Sequence, residues 1–286
     1  MSRRLVPLVL LGALALAMPG CDSVKVRYYM NEGNKAYKGQ KYEEAIGLYK
    51  QVLSVVPNDW DASYQIAVSY LAMYHPNSTH PKDLEYAEKA IVGLEKLFAL
   101  KAPDTATLDK VRGFYIGLLQ AANKIDMAIA FYETLVAKEP SNGLYAAQLA
   151  GLYAKKPDFV NALKWFGRRA QLEPSNKEAW YTIGVLCWER SAKGGLLVSD
   201  QERQDQLIPD GMKALEKAIS LDPDYFDSLV YMNLLYRQKA DLVRKAGDEA
   251  GYQAAMAKSA EFTNRAKEAR KKQTATDAAG RSKKAA

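Results

Sequence analysis

The chain has 286 residues, 48% of them hydrophobic and 10% aromatic, so it can bury a core and is not a disordered polymer. Two cysteines exclude a disulfide framework beyond a single bridge, and two histidines, His75 and His80, exclude most His-based metal and triad sites. The formal net charge of +7 belongs to the ends: Arg3 and Arg4 stand in residues 1–20, residues 264–286 carry eight basic residues against Glu268 and Asp277, and the remainder holds 30 basic and 31 acidic residues. That body has no basic face of the kind a nucleic-acid binder needs.

In chain order the first feature is a positive start, Arg3 and Arg4, followed by the apolar run Leu5 to Ala17. The run is too short for an ordinary membrane span and suits the core of an export signal. Met18-Pro19-Gly20-Cys21 then resembles the bacterial lipobox, in which a small residue precedes a cysteine that becomes lipidated and N-terminal. The resemblance implies a signal peptide over 1–20, a lipidated Cys21 with a short linker over 21–25, and stable attachment to a membrane by more than one acyl chain. It implies a periplasm-facing place in a bacterial cell envelope and leaves inner and outer membrane open. The alternative is an ordinary cleaved signal ending near Ala17, with Cys21 a bystander. If Cys21 carries lipid, Cys187 has no partner, and its apolar helical setting predicts a small buried hydrophobe.

From residue 26 the chain repeats itself. An apolar residue is followed eight positions later by proline at Tyr49/Pro57, Tyr132/Pro140, Phe166/Pro174 and Leu215/Pro223. Four positions before it stands a small residue: Ala45, Ala128, Ala162 and Gly211. Upstream, Trp180-x2-Ile183-Gly184-x2-Cys187 is matched in part by Ile66-Ala67-x2-Tyr70 and Leu149-Ala150-x2-Tyr153. These patterns closely resemble the tetratricopeptide repeat over residues 26–223. The physics agrees with the resemblance. Small residues let two helices approach, apolar ones fill the space between hairpins, and proline ends the second helix. One such hairpin cannot bury its stripe alone, whereas stacked neighbours can.

The resemblance implies an all-α solenoid of about five to six helix-turn-helix repeats over 26–271. Two stretches break the period, at His75–Pro81 and at Ser191–Gly211, and both read as inserted loops between the helices of a repeat. After Pro223, residues 226–245 and 248–271 are expected to form a degenerate sixth pair, broken at Gly247, whose last helix caps the stack. Residues 272–286 have no apolar period and read as a disordered basic tail.

No P-loop, GxGxxG, HExxH, GxSxG or CxxC occurs in the chain, so the sequence implies no catalysis, no cofactor, no metal and no small-molecule substrate. In the resembled family, first-helix positions line a concave groove. Carried onto this register they include Met30, Asn34, Tyr37, Lys38, Tyr64, Val68, Lys110, Tyr181, Val185, Trp188 and Tyr231, while Trp180, Ile183 and Cys187 turn to the core. A carboxylate clamp of the chaperone-binding type would need positive charge where Met30 and Phe114 stand, which argues against that subclass. The expected function is a non-catalytic scaffold that binds protein partners through the groove or the inserted loops. The alternative is a peptidoglycan- or carbohydrate-associated envelope protein that stacks sugars on the groove aromatics.

Overall fold

The computed structural model describes residues 19–285. Residues 1–18 of the expected signal segment, and the side chain of Cys21, lie outside the described residues. The described residues are helical throughout and contain no strand, in agreement with the all-α solenoid class. They divide between Lys124 and Ile125 into two compact units.

The first unit contains α1 (Pro19–Lys38), α2 (Tyr42–Val55), α3 (Trp60–Met73), α4 (Pro81–Ala99) and α5 (Thr105–Ala121). Residues 21–25, expected as a linker, are the first turns of α1. Antiparallel partners α1/α2 and α3/α4 stack through α2 and α3, and α5 packs on α4. Ala36, Ala45, Tyr49, Val52 and Ala62 form one core cluster here. Gly33 shows why the small position matters: a Cβ added there would lie 2.6 Å from Cε1 of Tyr49.

The second unit contains α6 (Ile125–Lys138), α7 (Gly143–Lys155), α8 (Phe159–Leu172), α9 (Lys177–Lys193), the short α10 (Asp200–Glu202), α11 (Ile208–Leu221), α12 (Phe226–Lys245) and α13 (Glu249–Ala285). Here α7 pairs with α8, α9 with α11 and α12 with α13. Ala45, Ala128 and Ala162 are all fully buried, as the repeat pattern requires. Ala162→Leu is therefore expected to overpack α8 against α7 and to cost about 1–3 kcal/mol. Chemical denaturation reads the loss, and an unchanged midpoint would refute the register.

The prolines build one joint four times. Asp59, Asn142, Asn176 and Tyr225 each donate their backbone N–H to the carbonyl three residues back, at 2.9–3.1 Å across the proline. The residue before the proline is held out of helical geometry, as at Val56 (φ −127°, ψ 89°) and Asp222 (φ −145°, ψ 98°). The first three joints then use Asp59, Asn142 and Asn176 to cap α3, α7 and α9, accepting from Ala62, Leu144 and Glu178 backbone N–H groups. The tetrapeptide Glu-Pro-Ser-Asn occurs twice, at 139–142 and 173–176.

Two segments differ from their sequence reading. Ser191–Gly211 is not an open loop: α9 runs on to Lys193, a 3-10 turn spans Gly195–Leu197, and α10 leads through a π-turn, Arg203–Leu207, into α11. Arg203 ties this segment down, donating to the carbonyls of Ser191 and Gly195, each at 3.0 Å, and pairing with Asp200 at 2.9 Å. Buried Val198, Leu207 and Ile208 give it an apolar side that the polar run QERQDQ conceals. The second difference is the end of the chain, where α13 continues through residues 272–285. Ala and Lys are strong helix formers, and helical propensity does not need an apolar stripe.

Candidate functional site

The aromatic side chains expected in the groove of the second unit meet one another. Tyr181 and Trp188 are two helical turns apart on α9, hence on one face, with Val185 half-buried between them. Helix α12 packs beside α9 and brings Tyr231 to both. Its ring centroid lies 5.6 Å from Tyr181 and 5.2 Å from Trp188, each edge to face. Tyr225, at the joint before α12, extends the row with its centroid 5.4 Å from Tyr181. Such pairs contribute about 0.5–1.5 kcal/mol each beyond burial.

Tyr181, Tyr231 and Trp188 rest on the core cluster of Leu215, Leu229, Met232 and Leu235, yet all four rings remain half-buried. Cations stand over both ends. Lys177 Nζ is 4.6 Å from the Tyr225 ring and 2.6 Å from Asp222, and Lys193 Nζ is 5.9 Å from the Trp188 ring and 2.7 Å from Glu189. Burial, then the neighbouring Tyr231 and Asp227, holds the Tyr181 phenol above its ordinary range. Burial and Asp227 push Tyr225 up to about 12. These phenols stay protonated at neutral pH. The row is a rigid apolar wall with hydroxyl donors, suited to gripping another chain.

The other expected groove residues divide. Trp180 is half-buried rather than in the core; it packs on Ala170, Ala179, Ile183 and Cys187 and donates Nε1–H to the Pro174 carbonyl at 3.1 Å. Cys187 is fully buried, and burial pushes its thiol up to about 12. In the first unit Val68 is only 8% exposed, so it belongs to the core and not to a groove. Its helix α3 is packed by both α2 and α4, which widens the buried face. Met30 and Tyr37 are half-buried against the core cluster, whereas Lys38 and Lys110 are exposed, Lys110 lying 5.8 Å over the Phe114 ring. Tyr64 stacks on Trp60 at 5.3 Å, and Tyr37 meets Tyr42 edge to face at 5.3 Å.

Asn34 is a structural acceptor: its Oδ1 takes the hydroxyl proton of fully buried Tyr49 at 2.9 Å. Burial, with a contribution from Tyr37, pushes the Tyr49 phenol up to about 12. An unfolded tyrosine loses its proton near pH 10. Between about pH 10 and 12 the unfolded chain therefore sheds a proton that the folded chain keeps, so stability is full below pH 10 and falls as pH rises. Tyr49→Phe is expected to cost about 1 kcal/mol at neutral pH through the lost hydrogen bond. It should also make the alkaline decline shallower, which denaturation midpoints across the pH range will show.

Tyr225 escaped the sequence reading, although a signal was present. The three equivalent joints carry Asp or Asn there, and Tyr225 makes no side-chain cap. An aromatic in a capping position trades helix stability for a side chain on the surface. The two histidines have local duties: His75 Nδ1 meets Asp83 at 3.0 Å, and His80 accepts from the Lys82 backbone N–H at 3.2 Å to cap α4. Among the described residues no group of three His, Cys, Asp or Glu is placed to hold a metal ion.

Antiparallel helical hairpins that share a recurring proline turn and offer first-helix side chains define a helical-repeat protein. Residues 30–72 match the tetratricopeptide repeat family model. That segment carries a tetratricopeptide repeat, set within an all-helical fold of stacked hairpins. The chain is 22% identical over 162 residues to the BBSome complex member BBS4 homolog of Drosophila melanogaster, covering 57% of this chain and 30% of that protein, so it spans about a third of the relative's length. Among solved structures it is similar to the C-terminal part of a TPR repeat-containing protein from Cytophaga hutchinsonii, with TM-score 0.46, 15% identity and coverage of 83% and 78% of the two chains. It is also similar to the MamA protein, with TM-score 0.36, 15% identity and coverage of 88% and 95%.

Proposed function

We propose that the chain is a non-catalytic scaffold of a bacterial cell envelope, tethered to a membrane through Cys21 and facing the periplasm, which holds protein partners along its first-helix face. The observation that carries the reading is the half-buried row Tyr225, Tyr181, Tyr231 and Trp188, the last three of which are braced from behind by the core. Rigid aromatic anchors of this kind dominate binding energy at protein interfaces. The tether rests on the order of Arg3-Arg4, the apolar run and Met18-Pro19-Gly20-Cys21. Among the described residues no helix is long and apolar enough to cross a membrane.

A photocrosslinker at Val185, set between Tyr181 and Trp188, is expected to capture a discrete protein partner in intact cells. The same crosslinker at exposed Val92 on α4 should not capture it. Equal capture at both positions would sink the groove assignment. Cys21→Ala is expected to move the protein from the membrane to the soluble periplasmic fraction or to leave it uncleaved. Wild-type protein recovered soluble and without lipid by mass spectrometry would refute the anchor.

A further inference from the structure

A second surface lies on the opposite class of helix, away from the aromatic row. Val136 of α6, Pro140, and Val160, Leu163, Lys164, Trp165, Gly167 and Arg168 of α8 border an open groove of about 680 Å³. Its lining is mainly apolar. Val160 is 74% exposed, and Trp165 and Leu163 are half-buried. Exposed apolar surface of this kind marks an interaction site when it is contiguous. Leu163 also packs inward on the cluster of Ala170, Ala179 and Ile183, but no packing duty accounts for Gly167. Gly167 stands in the interior of α8, where glycine weakens a helix, yet a Cβ there would find no atom within 4 Å.

The charges around the groove have one sign. Lys164 and Arg168 are four residues apart on α8, hence neighbours on its surface, and no carboxylate lines the groove. The nearby carboxylates point elsewhere: Glu133 accepts from the Tyr153 hydroxyl at 3.0 Å and Glu139 from the Asn142 amide at 3.1 Å. Lys164 Nζ lies 5.6 Å from the Trp165 ring, and Arg168 touches the Pro140 carbonyl at 3.2 Å, which braces its guanidinium at the rim. An arginine held this way is preorganised for a carboxylate.

We propose that this second-helix groove docks an acidic amphipathic segment of a partner protein. Apolar side chains of that segment seat against Trp165, Leu163 and Val136, and its carboxylates meet Lys164 and Arg168. The scaffold then has two independent grips, one aromatic on the first-helix face and one cationic and apolar on the second-helix face.

The test is a random peptide display library panned on the full chain, with peptides that still bind Gly167→Leu subtracted. Gly167→Leu raises helix propensity and fills the groove, so folding should be kept, and a melt verifies it. The groove-dependent peptides are expected to combine Asp or Glu with apolar residues. Trp165→Ala should weaken them about tenfold or more, and Arg168→Glu should do the same while folding normally. Trp188→Ala should leave them unchanged, which separates this proposal from the aromatic row. Three outcomes of the panning overturn it: no groove-dependent peptides, groove-dependent peptides lacking carboxylates, or peptides whose binding falls with Trp188→Ala instead. A Trp165-dependent association with anionic phospholipid vesicles in place of peptides would assign the face to lipid and also overturn it.

Discussion

Leu215→Ala is expected to destabilise the protein by about 2–5 kcal/mol, the cost of a large cavity in a packed helical core. Leu215 is fully buried and sits with Ile208, Ile219, Leu229, Met232 and Leu235 in one cluster. It also fills the space opened by Gly184 of α9, where an added Cβ would collide with the Leu215 side chain. Gly184→Ala alone should therefore cost about 1–3 kcal/mol by overpacking, even though alanine is the better helix former. In the Leu215→Ala background the same change enters the vacated space and should restore part of the loss. The coupling between the two positions is the decisive quantity. Additive effects in urea denaturation would show that α9 and α11 do not meet through this pair.

Trp188→Ala is expected to weaken partner capture by about 2 kcal/mol or more, roughly thirtyfold, as truncation of a central aromatic anchor does. It removes the ring against which Tyr231 leans and the surface over which Lys193 stands. Because Trp188 also touches the core cluster, some stability is lost with it, so capture must be scored per folded molecule. Trp180→Ala is the comparison. That side chain packs on Ala170, Ala179 and Ile183 and ties itself to the Pro174 carbonyl, so it should lose melting temperature and keep capture. Equal loss of capture in both variants, or in neither, would show that the aromatic row is not the grip.

Much of the fold was legible because it is written in local chemistry. Proline after a helix, a small residue one turn before an aromatic, and Asp or Asn two residues past the proline each act within a few positions of themselves. That is why Ala45, Ala162 and Gly211 fall where the pattern places them. What was hidden depends on distant partners. The polar stretch before Leu207 looks like a loop until Arg203 finds the carbonyls of Ser191 and Gly195. Val68 looks like a groove residue until α3 is seen to be packed by α2 and α4. Of the site, Tyr181, Trp188 and Tyr231 were named by carrying the resembled family's groove positions onto the repeat register. Trp165 could not be, because one tryptophan on a second helix has no periodic meaning until Pro140 and Val136 appear beside it.

The twice-written joint Glu139-Pro140-Ser141-Asn142 and Glu173-Pro174-Ser175-Asn176 makes the length of the array a free variable in evolution. Each copy forms the same turn, with Asn142 donating to the Glu139 carbonyl at 3.1 Å and Asn176 to the Glu173 carbonyl at 2.9 Å. A genetic exchange between the two copies deletes or duplicates one whole hairpin and rebuilds the same four residues at the seam. No novel junction has to be selected for, and the reading frame of apolar positions on either side is preserved. A lineage can thus add or remove surface in steps of one hairpin, the α7–α8 pair that lies between the copies, with the same turn rebuilt at the seam.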